Sequence, residues 1–583
     1  MPRSAGIRVH ATLTDAIGKA PLERGAGGGS QRGSATNQAQ KEVMNLELKI
    51  YHFVGMNFGP RRALARTRPC AGSSGLIERG MTSTIADVPF DLSPRECEFA
   101  DVDLGDKRRE DRARLIFGAW SASPESSLPR ATKDSAGLEG AYRFFNNPRV
   151  DSDALVAPHV LCSWGRARSA SAAGCWVLAI QDTTEMRFGG VMERDGLGDL
   201  MNEGDGFYAH TGLLACLAKP DGPKGGAVGI PLGLGGCEIL VRPKGRLKKP
   251  EKMSQKEWER ARHFADDNEF LRWERLASDL DEAARSHEVS VIHVADREAD
   301  EFSWMAKVLE RGGRFVIRQT KDRRLVAGQQ TEDAKRLDAL LSGAHPIQAT
   351  REVAFETAST SGGRRRRTEA RQGRRTTLGI YALATTLCKP NLSRAAQKTV
   401  SVNVVIVREL EPPEGQAPIE WRLLTTESIE TPEDVLRIVD AYRTRWLIEE
   451  YFKAIKTGCS YEKLQLESLH GLKIALSFCF AIAWHMLLLR TIARDAPNVP
   501  ARAVMTIAQM TVLLAIAAMP KNPWSVKLND NPDVTAVLYA VARMGGHIKN
   551  NGPPGWMTLA RGFHELSQLI LARQLFAPRS DQS

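Results

Sequence analysis

The run VSVIHVA, residues 289–295, constrains the fold more than any other segment of the chain. It is apolar at nearly every position rather than at every second one, which is typical of a strand that is buried on both faces. Such strands occur in sheets that helices cover on both sides. An acidic turn, DREAD at residues 296–300, follows directly. The segment therefore predicts an α/β fold with carboxylates at one edge of its sheet.

The order of the other segments predicts an α/β core that is divided by an insertion. Strand-like runs occur at CWVLAI, HTGLLACLA and GIPLGLGGCEILV, and again at RFVIR. A second strand-rich stretch follows, and beyond Pro432 the pattern is helical. We assign the first part of the core to residues 170–320, a β-rich insertion domain to residues 321–430 and the second part of the core to residues 431–495.

Two helical regions and one extension flank this core. Residues 95–165 are helical by periodicity, and residues 500–583 are helical again. Residues 1–80 are rich in Gly, Ser, Ala and Arg and lack the apolar content of a core, so we expect them to be disordered. The segment that begins at Met81 has a composition closer to that of the rest of the chain. The alternative is therefore that translation starts at Met81 and that the start of the extension is misassigned.

Charge and cysteine usage indicate the compartment and the kind of partner. The formal net charge of +11 favours a polyanionic partner, of which nucleic acid is the commonest. The nine cysteines form no CxxC pair, which argues against a zinc module and a disulfide framework and for a reducing cytoplasm. The apolar run 474–489 is short for a membrane span and contains His485, so we expect a buried helix. No secretory signal is expected in residues 1–30, which lack an apolar segment.

The segment YRTRWLIEEYFKAIKTG, residues 442–458, carries a polar face of mixed charge. At about 100° per residue, five of its side chains fall within a stripe about 80° wide. These are Tyr442, Arg445, Glu449, Lys453 and Lys456. Such a face suits a metal-bound phosphodiester, because a carboxylate can hold the cation while the other groups hold phosphate oxygens. The alternative is a solvated helix with i,i+4 ion pairs.

Further carboxylates must come from elsewhere in the chain. Glu450 falls at about 80° from Tyr442, outside the stripe, so Glu449 is the expected ligand. Asp182, in VLAIQDTTE, and Asp296, in VIHVADREAD, each end an apolar strand, where sites in α/β folds gather. Either aspartate alone could be a turn or N-cap residue. Together with the polar helix they predict a site of three acids.

These motifs resemble those of the insertion-sequence-four family of DDE transposases. The spacing Tyr442-x2-Arg445-x3-Glu449-x6-Lys456 resembles the family's Y-R-E-K signature, and IQDTT and DREAD resemble its first two acidic motifs. LGDKRR and EGAYRFFNNP are similar to its N-terminal DNA-binding region, and ARMGGHIKNNGPPGWMTLARGF is similar to its C-terminal segment. The chain departs from the family in its N-terminal extension and, within the signature helix, in Phe452 and Ile455.

The resemblance implies a fold and a metal site. The fold is a ribonuclease-H-like catalytic core interrupted by a β-rich insertion domain, with helical N-terminal and C-terminal domains. The catalytic and metal-binding residues are Asp182, Asp296 and Glu449. They would hold two Mg²⁺ ions, for which Mn²⁺ could substitute.

The resemblance also implies the activity and the partners. A member cuts both ends of a transposon through a hairpin intermediate and joins them to a target. The partners are double-stranded DNA, as terminal inverted repeats and as target, and a second copy of the chain bound through its C-terminal domain, in the bacterial cytoplasm at the nucleoid. The expected DNA-binding residues are Tyr442, Arg445, Lys453, Lys456, Arg318, Trp421, Lys107, Arg108 and Arg143.

Two other functions and one segment stay open. A catalytically inactive DNA-binding regulator of transposition would bind and not cut, and a metal-dependent nuclease without strand transfer would cut and not join. The run RRRRTEARQGRR, residues 364–375, is either a solubilising loop between strands or a DNA contact.

Overall fold

A computed structural model describes residues 56–58 and 98–576, except residues 133, 191–192, 202–203, 219–225, 246–248, 327–335, 356–373, 417, 498 and 549–551. The strands are β1 Met56–Phe58, β2 Trp176–Arg187, β3 Gly198–Asp199, β4 Asp205–Ala218, β5 Val228–Leu240, β6 Val291–Ala295, β7 Arg314–Arg318, β8 Ala349–Phe355, β9 Arg374–Cys388, β10 Thr399–Glu409 and β11 Glu420–Thr425. The helices are α1 Lys107–Ala122, α2 Leu128–Ala131, α3 Ser135–Phe145, α4 Ser152–Ala172, α5 Gln255–Phe264, α6 Leu271–Ser286, α7 Phe302–Glu310, α8 Leu337–Ser342, α9 Pro432–Thr444, α10 Trp446–Lys453, α11 Leu469–Asp495, α12 Ile507–Ala517, α13 Val534–Met544 and α14 Trp556–Phe576.

The strands form one mixed sheet in the order β1-β5-β4-β2-β6-β7-β11-β10-β9-β8, with β3 beside β4. Strands β2, β4 and β5 pair antiparallel, whereas β6 lies between β2 and β7 and is parallel to both. Every residue of β6 is buried, as its continuous apolar run predicts. The expected α/β fold is confirmed.

The stretch predicted as an insertion does contain strands, and these strands extend the core sheet. β11 pairs antiparallel with β7, with Leu423 opposite Arg318, and β10, β9 and β8 continue outward from it. Within the described residues, these strands therefore belong to the core sheet and form no second sheet. Arg374 and Arg375 of the arginine run open β9, and the rest of the run lies outside the described residues.

Helix α11 joins the sheet to the N-terminal helices. It packs against β5 and α4, and the Trp484 indole donates to the Pro231 carbonyl at 3.0 Å. Rings of α1 and α3 contact its other side, with Trp120 and Phe144 at 5.9 and 6.3 Å from Phe478. Among the described residues, α11 is the one helix long and apolar enough to cross a membrane, and nearly all of it is buried in the protein. The expected buried helix is confirmed.

Strand β1 lies in the N-terminal extension that is predicted to be disordered. It pairs antiparallel with β5, with Phe58 opposite Cys237, at the edge of the sheet. These three residues are therefore ordered as a strand. The other residues of the 1–80 extension lie outside the described part of the chain.

Candidate active site

Asp182 and Asp296 meet where the parallel pair β2–β6 ends. The last paired positions are Gln181 of β2 and Ala295 of β6. Asp182 and Asp296 are the residues that directly follow them. Asp296 does end its strand, as expected. Asp182 does not, because β2 leaves β6 at this point and continues beside β4, with Asp182 opposite Thr211. The expectation of two strand ends was therefore wrong for Asp182, although both carboxylates lie at the same edge of the parallel pair.

Backbone N–H groups hold both aspartates in place. The Thr183 amide donates to Asp182 Oδ1 at 2.7 Å. The Glu298 amide donates to Asp296 Oδ1 at 2.8 Å, which makes Asp296 the N-cap of the short 3-10 helix Arg297–Ala299. The N-cap interpretation of Asp296 is thus correct, and capping leaves its second carboxylate oxygen available for a ligand.

Arg445 brings Glu449 to the two aspartates. Its Nη1 donates to Asp182 Oδ2 at 3.2 Å and its Nη2 donates to Glu449 Oε1 at 2.6 Å. The side chain of Arg445 is 14% exposed, and those of Asp182 and Glu449 are 20% and 30% exposed. One guanidinium therefore connects an acid of the sheet to an acid of the helix in a half-buried cleft, which sequence spacing does not reveal.

The charges at this cleft are poorly balanced. Burial, together with the nearby charges of Asp296 and Glu449, raises the pKa of Asp182 to about 7, although the Thr183 amide and Arg445 act in the opposite direction. Asp182 thus lies in the electrostatic field of two other carboxylates, and Arg445 is the cationic partner of Asp182 and Glu449. Carboxylate oxygens are the hard ligands that Mg²⁺ and Mn²⁺ prefer, so this donor set fits a divalent cation. Within the described residues, however, no three acidic, imidazole or thiol groups are close enough to hold a metal ion together in this conformation.

The helix that carries Glu449 is not continuous. α9 ends at Thr444, α10 begins at Trp446, and the turn Ala454–Gly458 is π-helical. The Thr444 hydroxyl donates back to the Asp440 carbonyl at 2.9 Å, a contact that bends helices. A uniform rotation of about 100° per residue therefore does not hold across this segment.

The two lysines pair with acids other than Asp182, Asp296 and Glu449. Lys453 Nζ lies 2.8 Å from Glu450 and 5.0 Å from the Trp446 ring centre. Lys456 Nζ lies 3.6 Å from Glu462. Of the five side chains assigned to one stripe, Tyr442, Arg445 and Glu449 thus lie at the aspartates, and the two lysines are held by other carboxylates.

Glu450 is held away from the other acids. Besides Lys453, its carboxylate pairs with Arg490 of α11 at 3.2 Å. Its side chain is 12% exposed. The acidic pair therefore consists of one residue that pairs with Arg445 beside Asp182 and one that attaches α10 to α11.

Three of the expected DNA-binding residues form a cluster beside Arg445. The Trp421 ring lies edge to face on Tyr442, with ring centres 5.8 Å apart. Burial raises the pKa of Tyr442, while the charges of Arg445 and Arg318 and a hydrogen bond with Arg318 oppose that rise. Arg318 ends β7 and donates to the Glu420 carbonyl of β11 at 3.3 Å. The cluster thus joins β7 and β11 to the acidic site.

The other expected DNA-binding residues lie on the N-terminal helices. Lys107 and Arg108 are exposed in the first turn of α1, after the N-cap Asp106. Arg143 is 78% exposed on α3, where it pairs with Glu139 at 2.5 Å. All three cations thus lie on the protein surface.

Sequence reasoning missed Arg272 of α6. Its guanidinium donates to the Thr183 hydroxyl at 3.0 Å and to Glu298 at 2.7 Å, the two residues whose amides hold the aspartates. No sequence signal distinguishes it from the other charged residues of LRWERLASDLDEAARS, because only the fold places its helix beneath the site.

Two family models match the chain. The transposase DNA-binding model matches residues 94–150, which include the three exposed cations of α1 and α3. The transposase DDE domain model matches residues 268–485, which include Asp296 and Glu449, while Asp182 joins them through the β2–β6 register. A DDE domain implies a ribonuclease-H-like core and the use of divalent metal ions, generally Mg²⁺. The chain thus carries a transposase DNA-binding domain and a transposase DDE domain, and together they support a DDE transposase.

Proposed function

We propose that this chain is a cut-and-paste DNA transposase of the insertion-sequence-four family, similar to the transposon-five transposase. It binds the terminal inverted repeats of a transposon, cleaves them with Mg²⁺ through a hairpin intermediate and joins the ends to target DNA. The observation that carries this proposal is that Asp182 and Glu449 both pair with Arg445, while Asp296 lies beside Asp182 at the end of the β2–β6 pair. The two transposase domain matches support the same reading.

Asp182, Asp296 and Glu449 would hold the metal, as two Mg²⁺ ions or as Mn²⁺ in their place. When bound, such ions lower the pKa of an attacking water or 3′-hydroxyl and neutralise charge on the leaving oxygen. The chain itself supplies a rigid frame for two of the ligands, since backbone amides fix both aspartates. Glu449 comes from a helix and can adjust its side chain to complete the site.

Arg445 changes partners in this proposal. In the structure its guanidinium pairs with Asp182 and Glu449. Once cations compensate these carboxylates, the same guanidinium can bind a phosphate oxygen of the DNA strand. Tyr442 and Arg318 lie beside it and would hold the adjoining backbone. The exposed Lys453 and the partly buried Lys456 would contact phosphates farther along the DNA.

Trp421 is the candidate for the base-stacking residue of this proposal. It lies near the start of β11, packs against Tyr442 and is partly exposed. A terminal hairpin is so tight that a base must leave the stack, and stacking on an aromatic ring contributes about 1–3 kcal/mol. The face of the indole that Tyr442 leaves free would receive that base.

The proposed partners are DNA and a second copy of the chain. Lys107, Arg108 and Arg143 would contact phosphates of the terminal repeat, which fixes register more than sequence. The C-terminal region leaves Ile507, Leu575 and Phe576 at least 70% exposed, which supports dimerisation through residues 500–583. We place the protein in the bacterial cytoplasm at the nucleoid, where its substrate is.

A single reaction tests the proposed function. The full chain is incubated with Mg²⁺ and a supercoiled plasmid carrying the DNA that flanks its own gene. We expect nicked, hairpin-ended and joined products. Asp296→Ala should abolish all three products and still shift the flanking DNA in a gel, because binding depends on phosphate contacts.

The outcomes separate the three candidate functions. Binding without cleavage by the unmodified protein would identify a regulator. Cleavage without joining would identify a nuclease. Equal cleavage by Asp296→Ala would show that the acids are not the catalytic site.

A further inference from the structure

Arg272 lies in the first turn of α6 and uses all three nitrogens of its guanidinium. Nε donates to the Thr183 hydroxyl at 3.0 Å and Nη2 donates to Glu298 Oε2 at 2.7 Å. Nη1 donates to the Glu269 carbonyl of the preceding turn at 2.8 Å. The side chain is 12% exposed. Because each nitrogen has an acceptor, the orientation of the planar guanidinium is fixed.

The two side chains that Arg272 holds belong to the residues that hold the aspartates. The Thr183 amide is the donor to Asp182, and the Glu298 amide is the donor to Asp296. Arg272 therefore links the two supports across the end of the β2–β6 pair, where direct strand pairing has stopped. A rigid link at this point limits how far the two carboxylates can separate.

Surface ion pairing alone does not account for a buried arginine here. Glu298 is 58% exposed, and pairs with such exposed partners contribute about 0–1 kcal/mol. Burial lowers the pKa of Arg272, with the charges of Glu298, Glu269 and Glu238 opposing. The Thr183 hydroxyl makes a second contact, 2.9 Å from His210 Nδ1, which fixes the acceptor that Arg272 uses. The contacts of the buried Arg272 therefore fix the geometry of the residues next to the acids.

We propose that Arg272 is a positioning residue that sets the separation of Asp182 and Asp296 and thereby the affinity of the acidic site for divalent cations. This inference rests on the proposed function, since it assumes a metal site at these acids. Arg272 contacts Thr183 and Glu298, and it acts on the aspartates through them. Residues that orient metal ligands in this way typically change metal affinity by about 10–100-fold when they are replaced.

The test measures the affinity of the full chain for Mn²⁺. Electron paramagnetic resonance of the unbound Mn²⁺ monitors the binding. Arg272→Met should weaken Mn²⁺ binding by about 10–100-fold. Arg272→Lys keeps the charge and loses the fork, so it should recover only part of the affinity. Thr183→Val and Glu298→Gln should each weaken Mn²⁺ binding when made alone. Combined with Arg272→Met, they should cause no further loss of affinity, because all three changes break the same link.

Arg275→Met is the matched control. Arg275 lies one turn later on α6 and pairs with the buried Glu238, so its loss should lower the melting temperature and leave Mn²⁺ affinity unchanged. If Arg272→Met lowers the melting temperature in the same way and binds Mn²⁺ normally, Arg272 is structural and the inference is overturned. If Asp182→Ala binds Mn²⁺ as the unmodified protein does, or if neither binds it even with a duplex from the flanking DNA, the metal site itself is absent and the proposed function fails as well.

Discussion

Replacement of each member of the acidic pair by glutamine should give opposite results. Glu449→Gln should destroy activity and leave the fold intact, whereas Glu450→Gln should weaken the fold and leave activity largely intact. The reason lies in their contacts. Glu449 faces Asp182 through Arg445, whereas Glu450 pairs with Lys453 of its own helix and with Arg490 of α11.

The size of each effect follows from burial and charge. The partners of Glu450 are 51% and 27% exposed, so each ion pair contributes up to about 1 kcal/mol and the change should cost about 1–2 kcal/mol of stability. Glu449→Gln removes one of the charges that raise the pKa of Asp182 and keeps an oxygen for Arg445 to bind. Its stability should therefore be unchanged within about 1 kcal/mol. Replacement of residues that only orient metal ligands lowers activity by up to roughly 100-fold. The cleavage rate of Glu449→Gln should fall by more than this, because Glu449 is a proposed ligand itself.

Two measurements on each variant decide the matter. Denaturant unfolding gives the free energy of unfolding, and Mg²⁺-dependent cleavage of the flanking DNA gives the rate. Glu449→Asp serves as the control that keeps the charge and shortens the side chain. Loss of activity in Glu450→Gln together with normal activity in Glu449→Gln would refute the assignment of the two glutamates.

Three further outcomes are expected. Glu98 is buried, which would raise its pKa, but His159 and Arg166 lower that pKa to about 2, so its contribution to stability is present above about pH 4.5 and is lost as the pH falls toward 2. The melting temperatures of the unmodified protein and Glu98→Gln should therefore converge over that interval, and a constant gap would contradict this account. Trp421→Ala should nick DNA at a near-normal rate and form hairpins poorly, while Trp421→Phe keeps much of the hairpin yield; equal loss of both steps with a lower melting temperature would make Trp421 a core residue. Neutralising four arginines of Arg364–Arg375 should flatten the salt dependence of DNA binding by up to about 3 units of slope, and an unchanged slope would show that the run is a solubilising loop.

The sheet was more predictable than the helix that faces it. A continuous apolar run such as β6 can only be buried, so its position and the acid that follows could be inferred from residue types alone. The length of β2 could not, because Asp182 stays in the strand through its pairing with β4, a contact distant in sequence. The helix break at Arg445 could not be predicted either, because it also depends on a contact distant in sequence. A Cβ atom at Gly229 would lie 2.3 Å from the Thr444 methyl, so α9 packs closely against β5 where the helix bends.

The candidate site was only partly predictable from the sequence. Strand position indicates Asp182 and Asp296, the helix angle indicates Glu449, and the joint role of these acids stays a prediction. Arg445 was expected to bind DNA, and nothing in the spacing shows that it bridges two of the acids. Such contacts depend on side-chain geometry between distant segments, which a linear pattern does not contain.

The central claim is that the three acids form one metal site. Anomalous diffraction from Mn²⁺, in crystals of the full chain with a duplex taken from the flanking DNA, would locate the ion directly. We expect an anomalous peak bound by Asp182, Asp296 and Glu449, with the Arg445 guanidinium turned away from the carboxylates toward a phosphate. A peak at another group of acids, or an Arg445 that still bridges Asp182 and Glu449 with no ion beside them, would contradict the account.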